Sequence, residues 1–397
     1  MSAEDAVKKL VSVAGIEING PNPWDPQVHD NNFYQRVLSR GSLGLGEAYM
    51  DGWWDCEDIA GFIHHLLGAR LGEKIVNPLF IFMHPFLMQQ LLLLLRRNLK
   101  ATISNRQNKE RSNQVAKEHY DLGNDLYQVM LDINMAYSCA YWKDVHTIDE
   151  AQEAKFDLVA KKIELKFGMR VLELGCGWGG FMRYVSGKYG VSGVGMNLPE
   201  AKGQIEFATA INKDFPVKIV AKDYREARGI YDSTVSIGIL EHVGYKNYRT
   251  YFEIAHRCLS DDPYALSLVH CIGRSGKVSN LGDPWLEKYI FKEGMLPSRE
   301  RIKRAINGLF VIEDWHVFEP FHYAHTLSAW WERFEKGWQK NKNEIRVKYE
   351  NLMDGKFYRM WKYYLLCCKG VFLSGDAELW QIVLSKGGYP KIYMPVR

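Results

Sequence analysis

The chain has 397 residues, with 51 Lys and Arg against 47 Asp and Glu, and a formal net charge of +4. That length leaves room for two domains. Its near-balanced charge gives no strongly basic face of the kind a nucleic-acid binder needs, and no nucleic-acid partner is expected. The seven cysteines (Cys56, Cys139, Cys176, Cys258, Cys271, Cys367 and Cys368) include no CxxC pair and no His/Cys metal spacing. A disulfide framework and a zinc site are therefore not expected, and a reducing cytoplasm is. The start, Met1 to Asp5, lacks a basic stretch followed by an apolar core, so no signal peptide is read there.

In chain order, residues 1–95 read as a mainly helical domain containing the Gly- and aromatic-rich segment Ser42 to Trp54. Leu79 to Leu95 is almost wholly apolar, but it holds His84, Pro85, Gln89 and Gln90 and falls short of the roughly 20 residues of a membrane span. It is either a packed helix or one that dips into a membrane surface. Residues 96–117 carry Arg96, Arg97, Lys100, Arg106, Lys109, Arg111 and Lys117 against the single acid Glu110. They read as a linker or an exposed basic helix, either simply solvated or forming a strip that faces lipid headgroups.

From 118 to 397 helix and strand patterns alternate. A helix over Ala151 to Phe167 precedes expected strands at Val171–Leu174, Val191–Met196, Val217–Ala221, Ser233–Ile239 and Tyr264–His270. Such alternation predicts an α/β domain with a parallel sheet, whose ligands meet the carboxyl ends of the strands. The first strand runs into Gly175, Gly177 and Gly179, spaced G-x-G-x-G, with the acidic Glu173 inside the strand end. Glycine is required where backbone takes φ > 0 or closely approaches a ligand. The turn resembles the nucleotide-binding turn of class I (Rossmann-like) methyltransferases, which bind S-adenosylmethionine. Asn197 and Leu198 after the second strand, and Asp223, Tyr224 and Arg225 after the third, fall where ribose and adenine contacts are expected, though a strand-terminal Asp is also commonly a cap. Glu241 and His242 after the fourth strand, and His270 to Gly273 at the fifth, put a carboxylate and an imidazole on neighbouring strands. They can share a proton or hold an anion, or simply brace loops. Upstream, His119 to Tyr127 and Met135 to Trp142 are too polar and aromatic for a plain core helix and read as a lid.

These segments, with Gly41–Trp54, Asp283–Phe291, Glu313–His316, Leu327–Phe334 and Leu379–Ser385, resemble the cyclopropane-fatty-acyl-phospholipid synthases almost end to end. The resemblance implies transfer of a methylene group from S-adenosylmethionine to the cis double bond of an acyl chain in a membrane phospholipid. The alkene attacks the sulfonium methyl, and loss of a proton closes the ring. A bound bicarbonate is the implied base. Its implied holders are the Cys139 backbone, Glu241, His270, the Ile272 backbone and Tyr323. The cofactor positions it implies add Tyr137, Ser138 and Gln204. Gln204 takes the family's glutamine position if two residues are inserted after Asn197; otherwise Lys202 stands there. Cys368 matches a cysteine once given a catalytic role, although the chemistry needs no thiolate. The resemblance further implies a homodimer at the inner face of the membrane. A methyl-branched or methylene product, made by the same first step, is the alternative outcome.

Overall fold

The computed structural model describes residues 1–70, 85–103, 105, 123–274, 281–340, 347–352 and 355–397. The expectations placed on 79–84, 106–117 and 119–122 lie outside them. The chain packs as two compact units. One is Met1–Asn105 with Ser279–Lys292 and Leu327–Ala377; the other is Arg106–Val278 with Glu293–Thr326 and Glu378–Arg397.

The first unit is mainly helical, with helices at Ala3–Ser12, Asn32–Arg40, Ser42–Met50, Ile59–Gly68, Pro85–Ile103 and Phe357–Leu373, and one antiparallel pair, β1 (Gln27–Val28) and β2 (Trp54–Asp55). It is not the continuous stretch 1–95 that the sequence led us to expect, because two later segments bury their side chains among its N-terminal helices. A Cβ on Gly46 would stand 2.4 Å from the Trp285 ring, and one on Gly370 would stand 2.5 Å from the carbonyl of Ala60. Only glycine allows approaches that close. The expected boundary at 95/96 falls inside the helix Pro85–Ile103, so Arg96 to Ile103 are helical and not linker. Among the described residues, no helix is long and apolar enough to cross a membrane.

The second unit is built on a seven-stranded sheet of order β5-β4-β3-β6-β7-β9-β8. Its strands are β3 (Arg170–Leu174), β4 (Ser192–Asn197), β5 (Val217–Ala221), β6 (Ser233–Ile237), β7 (Leu266–Gly273), β8 (Val311–Phe318) and β9 (Glu378–Ser385). Strands β5, β4, β3, β6 and β7 pair in parallel, whereas β9 runs antiparallel to both neighbours. Alternation along β3 sends Leu172 and Leu174 into one core, with Tyr248, Phe252 and Ala255 of a covering helix. It sends Val171 into the other, with Phe156, Val159, Phe181 and Val185. A sheet buried on both faces needs apolar residues on both sides of its strands, and it fixes the strand ends that carry the site.

Candidate active site

At the end of β3, Gly175, Gly177 and Gly179 all take positive φ, +87°, +52° and +80°. A Cβ on Gly175 would meet Ile239 Cδ1 at 2.2 Å, whereas one on Gly177 would meet nothing within 4 Å. The first glycine is thus required by the fold, and the second leaves a bare backbone facing open space. That space is a cleft lined by Tyr137, Ser138, Gly175, Gly177, Asn197 and Gln204, together with Lys155, Glu173, Trp178 and Ile237 to Ile239. Gln204 is buried, and its side-chain oxygen accepts from Asn197 Nδ2 at 2.9 Å, while the same Nδ2 donates to the Gly177 carbonyl at 3.1 Å. Gln204 thus lines the cleft, and Lys202 is not among its lining residues.

Gly179, Leu198, Asp223, Tyr224 and Arg225 are not among the lining residues. Asp223 is occupied locally: it accepts from the Arg225 backbone N–H at 2.8 Å and from the Arg225 guanidinium at 2.8 Å, capping a short 3₁₀ turn.

Three buried polar residues escaped the sequence reading. Gln152, Lys155 and Lys162 share one face of the helix Ile148–Lys162 and are fully buried. Gln152 holds the carbonyls of Ala136 and Ser138, and Lys155 Nζ donates to Ser138 Oγ at 2.8 Å. Together they set the segment 135–138 against the cleft. Burial pushes Glu173 up to about 8 and Lys155 down to about 8; each partner's charge opposes the other's shift. Glu173 Oε2 is buried and meets no partner among the described residues.

A second cluster of polar atoms lies on β6 and β7. After β6, Gly238 turns at φ +69° into the one-turn helix Leu240–Val243, which carries Glu241. Glu241 Oε1 accepts from the Ile272 N–H at 2.7 Å, and its Oε2 is buried with no partner among the described residues. Burial pushes this carboxyl up to about 7. The strand β7 runs on past its expected end at His270 to Gly273, because β9 pairs along its whole length. His270 still sits level with Ile237, the end of β6. Its Nδ1 lies 3.3 Å from Gln381 Nε2, and its Nε2 is buried with no partner among the described residues. Burial, with Lys155, Lys162 and His316 nearby, pushes the imidazole well below its ordinary value, so it is neutral. Cys139, Ile272 and Tyr323 share an apolar cluster with Tyr141, Phe318 and Leu379. Thr326 ties the Cys139 segment down: its hydroxyl receives the Ala140 N–H and the Trp142 indole N–H, both at 3.0 Å, and donates to the His322 carbonyl.

Cys368 is placed differently. It belongs to the helix Phe357–Leu373 in the first unit, where burial pushes its thiol up to about 12. Such a thiol carries almost no thiolate at neutral pH.

The family profile of the mycolic acid cyclopropane synthetases matches residues 107–382. The chain is also 43% identical over 379 residues to the cyclopropane-fatty-acyl-phospholipid synthase of Escherichia coli, covering 96% of this chain and 92% of that one. This chain belongs to the cyclopropane synthase family. A probable fatty acid methyltransferase of Pseudomonas putida is 32% identical over 279 residues, 68% of each chain. Two solved cyclopropane synthases superpose with a TM-score of 0.61: MmaA2 from Mycobacterium tuberculosis, 28% identical, and CmaA1 complexed with S-adenosylhomocysteine, 29% identical. Each match covers 69% of this chain and 98% of the solved one. The chain is thus an enzyme homologous to the cyclopropane synthases, with the Rossmann-like fold of S-adenosylmethionine-dependent methyltransferases, as the glycine turn implied.

Proposed function

We propose that this enzyme adds a methylene group from S-adenosylmethionine across the cis double bond of unsaturated acyl chains in membrane phospholipids, with bicarbonate as the base. S-adenosylmethionine supplies an electrophilic methyl on sulfonium, and bicarbonate supplies an oxygen that accepts the proton released as the ring closes. The cleft fits the first group: it has bare backbone at Gly177, an amide pair at Asn197 and Gln204, and the buried Glu173, whose carboxyl, raised by burial, a cationic head beside it would draw back to the ionised form.

The observation that carries the second group is the pair of buried, unpartnered atoms Glu241 Oε2 and His270 Nε2. A buried polar atom left unpaired costs about 1–3 kcal/mol, and a small oxyanion with several acceptors would satisfy both. Burial raises Glu241 to about 7, so near neutral pH a large share of it is protonated, and in that form the carboxyl donates to an anion where a carboxylate would repel it. The Cys139, Ile272 and Tyr323 cluster supplies an apolar wall. Such a wall stabilises a developing carbocation through aromatic faces and keeps water from trapping it.

A place on the membrane surface is supported by Leu92 to Leu95 and Leu99, all at least 42% exposed on one helix beside the exposed Arg96. Arg97 is held by Glu287 and is less available to headgroups. Pairing of two subunits and an inner-face location rest on the family resemblance alone.

The test is mass spectrometry and NMR of lipids after incubating the purified protein with unsaturated phospholipid vesicles and S-adenosylmethionine. A gain of one CH₂ per chain, with alkene protons replaced by ring protons, is expected. The same gain with an alkene retained would replace this reading by a methylated product.

A further inference from the structure

Across β7, β9 and β8, three polar residues stand in register: His270 opposite Gln381, and Gln381 opposite His316. Directly opposed residues share one face of a sheet. All three are buried, with Gln381 fully so. The next row along the same face is apolar, Ile272–Leu379–Phe318, and packs against Cys139 and Tyr323. The polar row therefore runs beside the wall of the proposed cage, and its inner end is His270.

The outer end is fixed by charge. His316 Nδ1 lies 2.9 Å from Lys162 Nζ, Lys162 contacts Asp314 at 3.3 Å, and Arg397 grips both Asp314 oxygens at 2.6 and 2.7 Å. At the inner end, Gln381 Nε2 faces His270 Nδ1 at 3.3 Å. An amide nitrogen only donates, so Nδ1 accepts and the proton of the neutral ring sits on Nε2. The reverse amide orientation would leave a bare lone pair on Nε2, buried and without a protein donor. It would also turn that lone pair toward any anion held there.

We propose that Gln381 is a positioning residue that selects the Nε2–H tautomer of His270, so that the imidazole presents a donor to the bicarbonate. The role in turnover rests on the proposed function, and so does the choice of amide orientation that sets the tautomer; the nitrogen spectrum reads the tautomer directly.

Two variants test it. Gln381→Glu puts an acceptor opposite Nδ1 and inverts the tautomer, while Gln381→Met keeps the volume and removes the selection. The enzyme is labelled with ¹⁵N-histidine and saturated with S-adenosylhomocysteine, and the His270 signals are assigned by their loss in His270→Gln. The wild type should show Nε2–H, and Gln381→Glu should show Nδ1–H. Turnover in Gln381→Glu should fall on the order of 10²-fold, the usual scale for a misplaced proton donor. The KM for S-adenosylmethionine should stay within about twofold, because the lost interaction is not to that substrate. The bicarbonate concentration for half-maximal rate should rise in both variants.

An Nδ1–H wild type, or an Nε2–H Gln381→Glu, would overturn the proposal; so would lost turnover with an unchanged bicarbonate requirement, which would reduce Gln381 to packing. Should Gln381→Glu not fold, the wild-type spectrum and Gln381→Met decide. If the wild type makes no product from unsaturated vesicles, the functional reading fails while the tautomer is still measured.

Discussion

Glu241→Gln removes an ionisation that burial opposes and leaves the side-chain shape almost unchanged. Gln can still accept from the Ile272 N–H, the 2.7 Å bond that Oε1 makes. The carboxyl is pushed from 4.5 up to about 7, chiefly by burial. A raised carboxyl pKa means the fold tolerates the protonated form better. The group's contribution to stability is therefore whole below pH 4.5 and is lost as pH rises through about 7. Integrating that shift predicts that the wild type loses roughly 2.5 kcal/mol relative to Glu241→Gln between pH 5 and 8. The absolute offset between the two proteins cancels in that comparison, including any penalty for the amide's unpaired N–H. The assay is urea denaturation of both proteins at pH 5, 6, 7 and 8 in carbonate-free buffer, following tryptophan fluorescence. The variant should gain on the wild type mostly between pH 5 and 7. A gap that stays flat across the range would refute the buried, ionisation-averse carboxyl. The same variant should bind S-adenosylhomocysteine normally and, because its amide keeps a donor toward the anion, retain more turnover than Glu241→Ala, which should lose most of it; wild-type-like turnover in Glu241→Ala would remove Glu241 from the mechanism.

Cys368→Ser should leave turnover within about twofold, because a thiol held near 12 in the helical unit is not a nucleophile; loss beyond tenfold in a folded variant would restore a chemical role. Gly177→Ala should fold, at roughly 1–2 kcal/mol for its left-handed backbone, but bind S-adenosylmethionine more weakly, because its methyl projects into open space. Calorimetry measures both effects. Gly175→Ala should instead be poorly soluble, since its methyl would collide with Ile239. Arg96→Glu should weaken binding to anionic vesicles, more at low salt than at high; unchanged sedimentation with vesicles would make the exposed Leu92 to Leu99 surface irrelevant to lipid.

The five parallel strands were legible because strands covered on both faces are apolar runs that end in turn residues, as Val171–Leu174 before Gly175 shows. Strands β8 and β9 were not read as strands. β8 holds Glu313, Asp314 and His316 among its apolar residues, and β9 joins the sheet across a long excursion of chain that no local pattern reveals. Lys155 and Lys162 look like ordinary solvated lysines in Ile148–Lys162. Only the tertiary fold, which puts Ser138 and Asp314 within reach, shows that they are inside. The site was legible where chemistry sits at strand ends, as with Glu241 and His270. It was not legible where it depends on cross-strand neighbours, as with Gln381.

The position of β9 also governs how the protein is made. On the ribosome, β7 emerges more than a hundred residues before its partner, and β8 also precedes it. Until Glu378–Ser385 is synthesised, β7 is an open edge whose eight residues have no neighbour on that side. Open apolar edges recruit other chains. The nascent polypeptide thus passes through a long interval in which its central sheet invites aggregation. Loss of the last twenty residues, Glu378–Arg397, should therefore be felt as failed biogenesis well before it is felt as failed catalysis.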